Sequence, residues 1–434
     1  MLSLIVGLAL IIGLTACSNG STGGGGNQGS TQGQLAFERI TDGENAGTWR
    51  VRKGTVTSGK VVIPAYYNGS TGRAARSAED GLPVTEIGWE KDTDGNGAFS
   101  GTDITEIIIP NTIKSIGWYA FQNCPNLSAI TIPASVEYIG AWVFSENRNL
   151  KNIIVEAGNP NYIVEDGILY QIDGGWHNPF TNEWDSTRRK VLHSYPSASG
   201  NITIPADVVI GTGAFYGTTI TSVTIPEGVE IIEYHAFANC TSLKSVTIPA
   251  SVKYIGELVF QACASLTSIT IAAGNPYYSS EGGILYETNQ PHSKYVRDFG
   301  ITGKILCNWP SAKGSITIPA GVSAIGDGAF TWNTNLTGVT IPEGVKFIGW
   351  RTFWACTSKN INIPASVTKV GSEAFGFWTS SLTINVKGHA NQASADAAWG
   401  EEWRKESTWD ANDNYLGLVD IKATIKYWNG SSYQ

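Results

Sequence analysis

The stretch VTIPASVKYIGELVFQAC (residues 246–263) has a near copy in ITIPASVEYIGAWVFSEN (residues 130–147), 116 positions earlier. The Ile-Pro step of this phrase recurs along the chain, and neighbouring copies usually lie 23 residues apart. The prolines of these steps are Pro110, Pro133, Pro205, Pro226, Pro249, Pro319, Pro342 and Pro364. A period of this length is typical of a solenoid, in which each repeat is one small unit stacked on the next.

Each unit combines a short strand with a return segment. In one copy, Ile130 and Ile132 alternate with Thr131, which predicts a strand with both isoleucines turned inward and the threonine outward. Pro133 removes a donor from the strand ladder and ends the strand. We expect the next segment to return along the opposite side as a 3₁₀ or short helical turn, with Gly140 permitting the bend. One unit is too small to bury its own apolar face, so its neighbours must cover it.

The composition favours a β-rich globular protein without a nucleic-acid partner. Of the 434 residues, 42% are hydrophobic and 11% are aromatic, which is ample material for a folded core. Fifty glycines and 15 tryptophans against one methionine indicate many turns and sheet surfaces rather than a helical bundle. A net charge of −8 with only 15% charged residues provides no basic surface for DNA or RNA.

The N-terminal run MLSLIVGLALIIGLTAC is uncharged, too short to span a bilayer and typical of a signal peptide. Its end, LTAC, resembles the lipobox of bacterial lipoproteins, although no Lys or Arg precedes the apolar run. The resemblance implies a signal peptide over residues 1–16 and a lipidated Cys17, which would anchor the protein at the bacterial cell surface, in the outer membrane. Residues 17–34 are rich in Gly, Ser and Gln and predict a flexible tether with a reach of about 20–25 Å.

The phrases LSAITIPASVEYIGAWVF (127–144), LKSVTIPASVKYIGELVF (243–260) and LTGVTIPEGVKFIGWRTF (336–353) resemble the BspA-like leucine-rich repeats of bacterial surface antigens. The resemblance extends from about Val61 to Val386. It implies an α/β-type repeat solenoid that is β-rich, with short parallel strands on one face and 3₁₀ or short helical turns opposite. It also implies a cell-surface protein that adheres to host extracellular-matrix proteins, such as fibronectin or fibrinogen, or to other cells.

Two longer segments interrupt the repeats. AGNPNYIVEDGILY (157–170) returns as AGNPYYSSEGGILY (273–286), again 116 residues later. These segments resemble the hairpin inserts of this family, and we place the inserts near residues 157–200 and 273–314 of a solenoid that covers residues 61–388.

The two ends of the chain lack the repeat phrase. Residues 35–60 contain short β-like runs and are predicted to form an N-terminal β cap. Trp399 and Trp403 lie one helical turn apart, which predicts a C-terminal helical cap within residues 389–434. The final stretch, VDIKATIKYWNGSSYQ, alternates like one or two strands.

The outward strand positions are the main candidate for a binding surface. Threonine occupies this position at Thr131, Thr203, Thr224, Thr247, Thr270, Thr317 and Thr340. At about 4.8 Å per strand, about a dozen stacked strands would present a hydroxyl surface roughly 50 Å long. Such a row suits recognition of an extended partner, but threonine also suits any exposed strand.

Aromatic residues outside the core are a second candidate. The repeats supply Trp118, Tyr234 and Trp350 at one shared position, with Trp332 and Trp354 just after the phenylalanines of two repeats. The tip of the first insert supplies Trp176, Phe180 and Trp184. These side chains either pack on the solenoid or anchor a partner, and loops on a rigid scaffold favour the second role. Exposed aromatic rings beside hydroxyl-rich strands also suit a surface glycan-binding protein, which is the alternative function.

One segment suggests a cofactor. DTDGNGAFSGTD, from Asp92 to Asp103, matches the twelve-residue calcium loop, with oxygen donors at Asp92, Asp94 and Asn96. The segment from Phe99 onward also aligns with the ordinary repeat, so a solvated turn rich in Asp and Gly explains the same residues. Both interpretations stay open.

No sequence pattern indicates an enzyme. The five histidines and the loop carboxylates lie in no nucleophile, zinc or phosphate-binding motif. Cys124, Cys240 and Cys356 share one repeat position and are expected to be buried thiols, and a disulfide between Cys240 and Cys263 is the alternative. The sequence therefore predicts a non-enzymatic recognition or adhesion protein.

Overall fold

The computed structural model describes most of the chain after the first 32 residues. The described residues are 33–69, 73–75, 77–88, 97–172, 176–178, 183–185, 189–288, 290, 293–377, 382–409, 415–421, 423–428, 432 and 434. This part of the chain contains no helix that is long and apolar enough to cross a membrane. The predictions for the signal peptide, for Cys17 and for most of the tether concern residues outside it.

The chain folds into short strands in three consecutive blocks, each with its own main hydrophobic core. The first block contains β1 (Ala36–Arg39), β2 (Trp49–Arg52), β3 (Ser58–Val62), β4 (Tyr66–Asn68), β5 (Arg73–Ala75), β6 (Leu82–Ile87), β7 (Asp103–Ile108), β8 (Ser115–Ile116), β9 (Ala129–Ile132), β10 (Tyr138–Ile139) and β11 (Asn152–Val155). The middle block contains β12 (Tyr162–Glu165), β13 (Ile168–Gln171), β14 (Trp176–Asn178), β15 (Glu183–Asp185), β16 (Val191–Ser194), β17 (Ser199–Thr203), β18 (Val209–Ile210), β19 (Thr219–Thr224), β20 (Ile231–Ile232), β21 (Ser245–Ile248), β22 (Tyr254–Ile255) and β23 (Ser268–Ile271). The last block contains β24 (Tyr278–Glu281), β25 (Ile284–Glu287), α1 (Lys294–Phe299), β26 (Lys304–Asn308), β27 (Gly314–Thr317), β28 (Val322–Ile325), β29 (Leu336–Thr340), β30 (Phe347–Ile348), β31 (Asn360–Ile363), β32 (Lys369–Val370), β33 (Leu382–Val386), α2 (Gln392–Trp399), a 3₁₀ helix (Glu401–Arg404), β34 (Lys405–Trp409), β35 (Tyr415–Asp420) and β36 (Ala423–Tyr427).

One side of every block carries the longer parallel strands, and we call this side the long-strand face. Its sheets have the strand orders β3-β7, β9-β11, β17-β19-β21-β23 and β27-β29-β31-β33-β36. On β9, Ile130 and Ile132 are 2% and 0% exposed, whereas Thr131 between them is exposed. The predicted repeat solenoid, with isoleucines inward and threonine outward, is therefore confirmed.

The return segment differs in detail from the sequence-based expectation. After the proline turn the chain first forms a parallel strand, two residues long in most repeats, and then continues as turns; we call this second stack the short-strand face. Among the described residues the 3₁₀ helix is limited to Glu401–Arg404. The reason is stacking, because the N–H of Gly140 donates to Ile116 O of the preceding repeat at 2.8 Å, a bond that a purely local turn does not provide.

Glycine follows the short strands because adjacent repeats approach each other closely there. A Cβ on Gly140 would lie 2.5 Å from Trp118 N, and a Cβ on Gly256 would lie 2.6 Å from Tyr234 N. Packing between repeats, rather than the predicted bend, therefore requires Gly140.

A ladder of stacked phenylalanines runs through each block. The three runs are Phe99, Phe121 and Phe144; Phe215, Phe237 and Phe260; and Phe330, Phe353 and Phe375. Neighbouring ring centroids lie 5.0 to 6.0 Å apart with planes within 13° of parallel, which is offset stacking. Tyr195 and Trp309, each directly before a proline near the end of an insert, contact the first ring of the next run.

The buried thiols complete this ladder by bonding to backbone carbonyls. Cys240 Sγ donates to Phe215 O at 3.1 Å, and Cys263 Sγ donates to Phe237 O at 3.1 Å. The five described cysteines are all free, as expected, so the alternative disulfide between Cys240 and Cys263 does not form. Burial raises the pKa of Cys240 to about 12, as suits a structural thiol rather than a reactive one.

The duplicated AGNP motif closes the open edges of the short-strand face. The hydroxyl of Tyr278 accepts a hydrogen bond from the N–H of Ile255 at 2.9 Å, and Asn275 Nδ2 donates to Val252 O at 2.9 Å. In the first insert, Tyr162 OH accepts from Ile139 N in the same way, at 2.8 Å. Because β10 and β22 end their sheets, each insert supplies the partners that the next repeat would otherwise provide.

The two ends of the described chain join the same cores. At the start, β1 pairs antiparallel with β2, whose Val51 is buried in the first core. At the end, Trp399 and Trp403 are buried, and Trp403 packs edge-on against Phe375 at 6.2 Å. Strand β36 then adds to the long-strand face beside β33. The C-terminal segment thus combines the expected helix with strands.

Removing one edge hydroxyl should destabilise the fold. Tyr278→Phe leaves the N–H of Ile255 without its acceptor, so we expect the free energy of unfolding to fall by about 1–3 kcal/mol in urea titrations. The adjacent Tyr277→Phe is the matched control, because the Tyr277 hydroxyl has no hydrogen-bond partner among the described residues. Equal stabilities of the two variants would contradict the edge-closing role.

The half-buried His193 should make stability depend on pH. Its Nε2 lies 3.0 Å from Ile139 O, and burial lowers its pKa to about 4, from an ordinary value near 6.5. Between these pH values the imidazole is protonated in the unfolded chain but neutral in the folded chain. The free energy of unfolding should therefore decrease as the pH falls from about 6.5 towards 4.

The variant His193→Gln isolates this contribution, since its amide can still donate to the Ile139 carbonyl. Between pH 7 and pH 4.5 it should lose less stability than the wild type, by about 2 kcal/mol in urea unfolding. Parallel pH curves for the two proteins would show that His193 is not the responsible group.

Candidate functional site

The long-strand face carries the predicted threonine row. The predicted binding residues Thr131, Thr224, Thr247, Thr270 and Thr340 are all exposed there. In the middle block the row consists of Thr203, Thr224, Thr247 and Thr270, each paired directly with the next across β17, β19, β21 and β23. Directly paired residues of a parallel sheet face the same side, so four hydroxyls project together at a spacing of about 4.8 Å.

The row does not continue as threonine over a dozen strands, so that prediction is wrong. In the last block Thr317 pairs with Thr340, and Asn362 and Asn385 then occupy the next positions. Asn385 Nδ2 donates to Asn362 Oδ1 at 2.7 Å, so these two amides form a ladder of their own. The two inserts also separate the sheets of the three blocks.

At its other end the row is largely apolar, with Thr131 as the exception, and sequence reasoning missed this. Val62, Ile108 and Ile154 occupy the same repeat position in the first block and are 45%, 42% and 54% exposed. The sequence does carry a signal for them, because they stand directly before Ile63, Ile109 and Val155, at the position where other repeats have threonine. The face is therefore largely apolar in the first block, hydroxyl-bearing in the middle block, and changes from hydroxyl to amide within the last block.

The tip of the first insert is a hairpin of two short strands. Trp176 on β14 pairs with Asp185 on β15, and His177 pairs with Trp184. Phe180 lies outside the described residues, and only the backbone of the two tryptophans is described. Their role in binding stays a prediction.

The turns of the last block carry an aromatic cluster of Trp332, Trp354 and Phe377, which we call the aromatic turn cluster. The ring of Trp354 lies 5.5 Å from Trp332 and 5.0 Å from Phe377, and the Arg351 guanidinium lies 5.0 Å from the Trp354 ring. Trp332 and Phe377 are each 43% exposed. Sequence reasoning named the tryptophans but missed Phe377, although it follows Phe375 by two positions as Trp332 follows Phe330.

The other aromatic candidates pack on the protein itself. Trp118 Nε1 donates to Tyr138 OH at 2.7 Å, and the rings of Trp118 and Tyr234 lie 5.7 and 5.9 Å from the buried Trp142. The Trp350 ring is covered by Arg351 at 4.5 Å. These contacts favour the packing interpretation for this position.

A cavity of about 630 Å³ lies between the short-strand face of the middle block and the second insert. One wall includes His193 on β16, Glu233 just after β20 and Tyr254 on β22, and the other includes Glu287 and Lys294 from the second insert. Its volume is in the range of small-molecule sites. Sequence reasoning did not find it, because the cavity forms only where the insert leans over strands that precede it in the chain.

Charged side chains line this cavity unevenly. Lys294 Nζ on α1 lies 2.6 Å from Glu257 Oε1 and also contacts the carboxylate of Asp327. Asp327 is held in turn by the N–H of Trp350 at 3.0 Å, and its own N–H donates to Tyr295 OH at 2.8 Å. The ammonium group of Lys294 is thus paired with two carboxylates, and this end of the cavity has an excess of negative charge.

A further carboxylate is half-buried on the opposite wall. Glu233 Oε2 accepts hydrogen bonds from both the N–H and the hydroxyl of Thr212, each at 2.9 Å. Burial raises the pKa of Glu233, and these two bonds oppose that rise. The contacts identify Glu233 as a satisfied structural carboxylate.

The predicted calcium pattern lies mostly outside the described residues. Residues 92–96 belong to that part, while Asp103 begins β7 and accepts a bond from Asn126 Nδ2 at 3.2 Å. The fold explains Gly97 without an ion, because a Cβ there would lie 1.8 Å from Tyr119 O. Within the described ranges no group of three His, Cys, Asp or Glu side chains is arranged to hold a metal ion. Calcium binding stays a prediction.

Comparison with known proteins identifies the repeat. The model of the family described as "BspA type Leucine rich repeat region" matches six copies, over residues 93–166, 198–281 and 307–398, which together exceed half of the chain. No curated protein matches the chain.

Several solved structures are similar. A leucine rich cell surface protein from Faecalibacterium prausnitzii A2-165 has 21% identity and a TM-score of 0.40, covering 94% of this chain and 96% of its own. The pneumococcal vaccine antigen PcpA has 17% identity and a TM-score of 0.38, covering 83% of this chain and 87% of its own. A leucine-rich repeat protein from Eubacterium ventriosum ATCC 27560 has 19% identity and a TM-score of 0.36, covering 82% of this chain and 73% of its own.

The family match and the observed stack of short parallel strands agree with the resemblance seen in the repeated Ile-Pro phrase. The match is to a repeat region and indicates no catalytic activity. The chain belongs to the BspA type leucine-rich repeat family.

Proposed function

We propose that this protein is a cell-surface recognition protein that binds a host extracellular-matrix protein, such as fibronectin or fibrinogen, through its long-strand face. The observation that carries the proposal is the in-register row of Thr203, Thr224, Thr247 and Thr270. An extended partner can contact such a row with one modest interaction per strand, and these interactions add up along the solenoid.

The area of the face supports a partner that spans more than one block. Four strands at about 4.8 Å cover only about 14 Å, whereas a stable protein interface buries about 800 Å² on each partner. The contact must therefore extend to the apolar positions of the first block, such as Ile108 and Ile154, or to the Asn362 and Asn385 ladder of the last block. We infer that a partner recognises the differences in side-chain chemistry between the blocks along this face.

We also propose that acylated Cys17 holds the protein on the outer membrane, with residues 18–34 as a leash. The support is the spacing of the LTAC sequence after an apolar run and the lack of core-forming side chains in the next residues. Several acyl chains on one residue give stable anchoring, because each buried methylene adds about 0.8 kcal/mol.

A surface glycan-binding protein is the second candidate, and the aromatic turn cluster favours it. Trp332 and Phe377 leave large ring surfaces exposed beside Arg351. Exposed rings of this kind provide large contact areas at low entropic cost.

Charging the threonine row should abolish binding while preserving the fold. The double variant Thr224→Lys, Thr270→Lys places two bulky cations on alternate strands of an exposed row, so they are not direct neighbours. We expect at least a tenfold loss of affinity for immobilised fibronectin or fibrinogen in biolayer interferometry.

Its control is Thr241→Lys, Thr334→Lys, which adds the same charge at exposed threonines in turns and should bind like the wild type. Unchanged binding by the row variant would move the site elsewhere. Saturable binding to a glycan array instead of matrix proteins, lost in Trp332→Ala, would select the second candidate.

The anchor has its own test. Cys17→Ala should shift the protein from the membrane fraction to the soluble fraction of fractionated cells, because no acyl chain can be attached. Serine at the same position should behave like alanine, and membrane retention of both variants would refute lipidation.

A further inference from the structure

Three polar atoms that line the cavity have no hydrogen-bond partner among the described residues. They are Glu287 Oε1, Ser293 Oγ and Asn308 Oδ1. Glu287 and Ser293 are only 9% and 4% exposed. A buried polar atom without a partner costs about 1–3 kcal/mol and more when charged, so three such atoms in one cavity point to a bound group that completes them.

The three residues come from adjoining elements of the second insert. Asn308 on β26 pairs with Leu285 on β25 at a β-bulge, two positions before Glu287, and both polar residues line the cavity. Ser293 directly precedes α1 and leads the chain into the Lys294 contacts. The insert therefore places a carboxylate, an amide oxygen and a hydroxyl on one wall.

The ionic partners available in the cavity are already engaged. Lys294 contacts the carboxylates of Glu257 and Asp327, and Arg297 Nε lies 2.7 Å from Asp298 Oδ1 outside the wall. Burial raises the pKa of Glu287 to about 6, against the lowering effects of the Ser293 hydroxyl beside its carboxylate and of Lys294, and Glu257 adds to the rise. At neutral pH Glu287 is thus an ionised carboxylate, and its Oε1 and the adjacent Ser293 Oγ are both without a partner in hydrogen-bond geometry among the described residues.

We propose that this wall binds a primary ammonium group, as carried by a lysine side chain or a small alkylamine, through Glu287, Ser293 and Asn308. An ammonium group has three donors and no acceptor, which matches three unpartnered oxygens. Its bond to a carboxylate is charge-assisted and stronger than a neutral one. The rings of Tyr254 and Tyr278, which also line the cavity, provide apolar surface for the alkyl chain.

The surrounding charge favours such a ligand. Glu137, Glu233, Glu257, Glu287 and Asp327 line the cavity against Lys294 and Arg297. A cleft with an excess of one sign concentrates ligands of the opposite sign. Lys294 repels a divalent metal ion more strongly than a singly charged ammonium group, and no group of three His, Cys, Asp or Glu side chains in the described part of the cavity is arranged to hold a metal ion.

The equivalent position of the first insert offers a natural contrast. Gln171 stands 116 residues before Glu287, at the same place on β13 as Glu287 on β25. The duplicated hairpin thus carries a neutral amide in one copy and a carboxylate in the other. The ammonium site belongs to the second copy alone.

The test is calorimetric titration of the purified full-length protein with n-butylamine at pH 7.5 and low salt, with 1-butanol as the uncharged analogue of the same size. We expect saturable binding of the amine and none of the alcohol. Glu287→Gln, which copies the first insert, should weaken binding at least tenfold without lowering the melting temperature. Glu281→Gln, an exposed carboxylate of the same hairpin paired with Lys304, is the matched control and should bind normally.

Absence of saturable amine binding by the wild type would overturn the proposal, and so would equal affinity of the wild type and Glu287→Gln. If Glu287→Gln does not fold, Asn308→Leu removes one acceptor at similar size and should also weaken binding, while unchanged binding would contradict the site.

A second titration with an acetylated Gly-Lys-Gly amide peptide distinguishes the source of the ammonium group. Tighter binding of the peptide identifies a protein lysine as the ligand, and tighter binding of butylamine identifies a small amine. This inference does not depend on the threonine row, which lies on the other face.

Discussion

Hydrogen bonding between adjacent repeats is the constraint on which this structure depends. The N–H of Gly140 reaches Ile116 O in the preceding repeat at 2.8 Å, and the N–H of Phe121 reaches Val143 O in the following repeat at 3.0 Å. A repeat in isolation would leave these groups without partners, and unpaired buried backbone groups are rare in native proteins. The chain therefore repeats nearly the same phrase, because only a matching unit presents its carbonyls and N–H groups at the required positions.

Wherever the stack is interrupted, the same constraint has to be met by other residues. Each insert supplies a tyrosine hydroxyl and an asparagine amide that substitute for the missing repeat, as Tyr278 and Asn275 do at the edge of β22. The inserts also begin new sheets on the short-strand face and divide the long-strand face into separate parts. The breaks in the stack thus produce both the block structure and the cavity beside Glu287. The regular repeats offer a surface for an extended partner, and the irregular inserts offer a cavity.

Sequence patterns predicted the parts of the fold that depend on local periodicity. The alternation of Ile130, Thr131 and Ile132 was sufficient to assign buried and exposed sides, since the side chains of a strand alternate with a period of two. The role of Gly140 was not predictable, because it depends on the distance to a backbone 22 positions earlier rather than on its own conformation. The cavity could not be predicted from the sequence either. Its walls meet only after α1 docks, and Lys294 reaches partners 37 positions before and 33 positions after it.

Hydrogen exchange monitored by mass spectrometry tests the dependence between repeats most directly. In the variant Val246→Asp a charge enters the core of one strand, β21, at a position that is 2% exposed in the wild type. The account predicts faster amide exchange in β21 and also in its neighbours β19 and β23, with protection recovering towards the other blocks. Faster exchange confined to residues 245–248, with wild-type protection in both neighbouring strands, would contradict it.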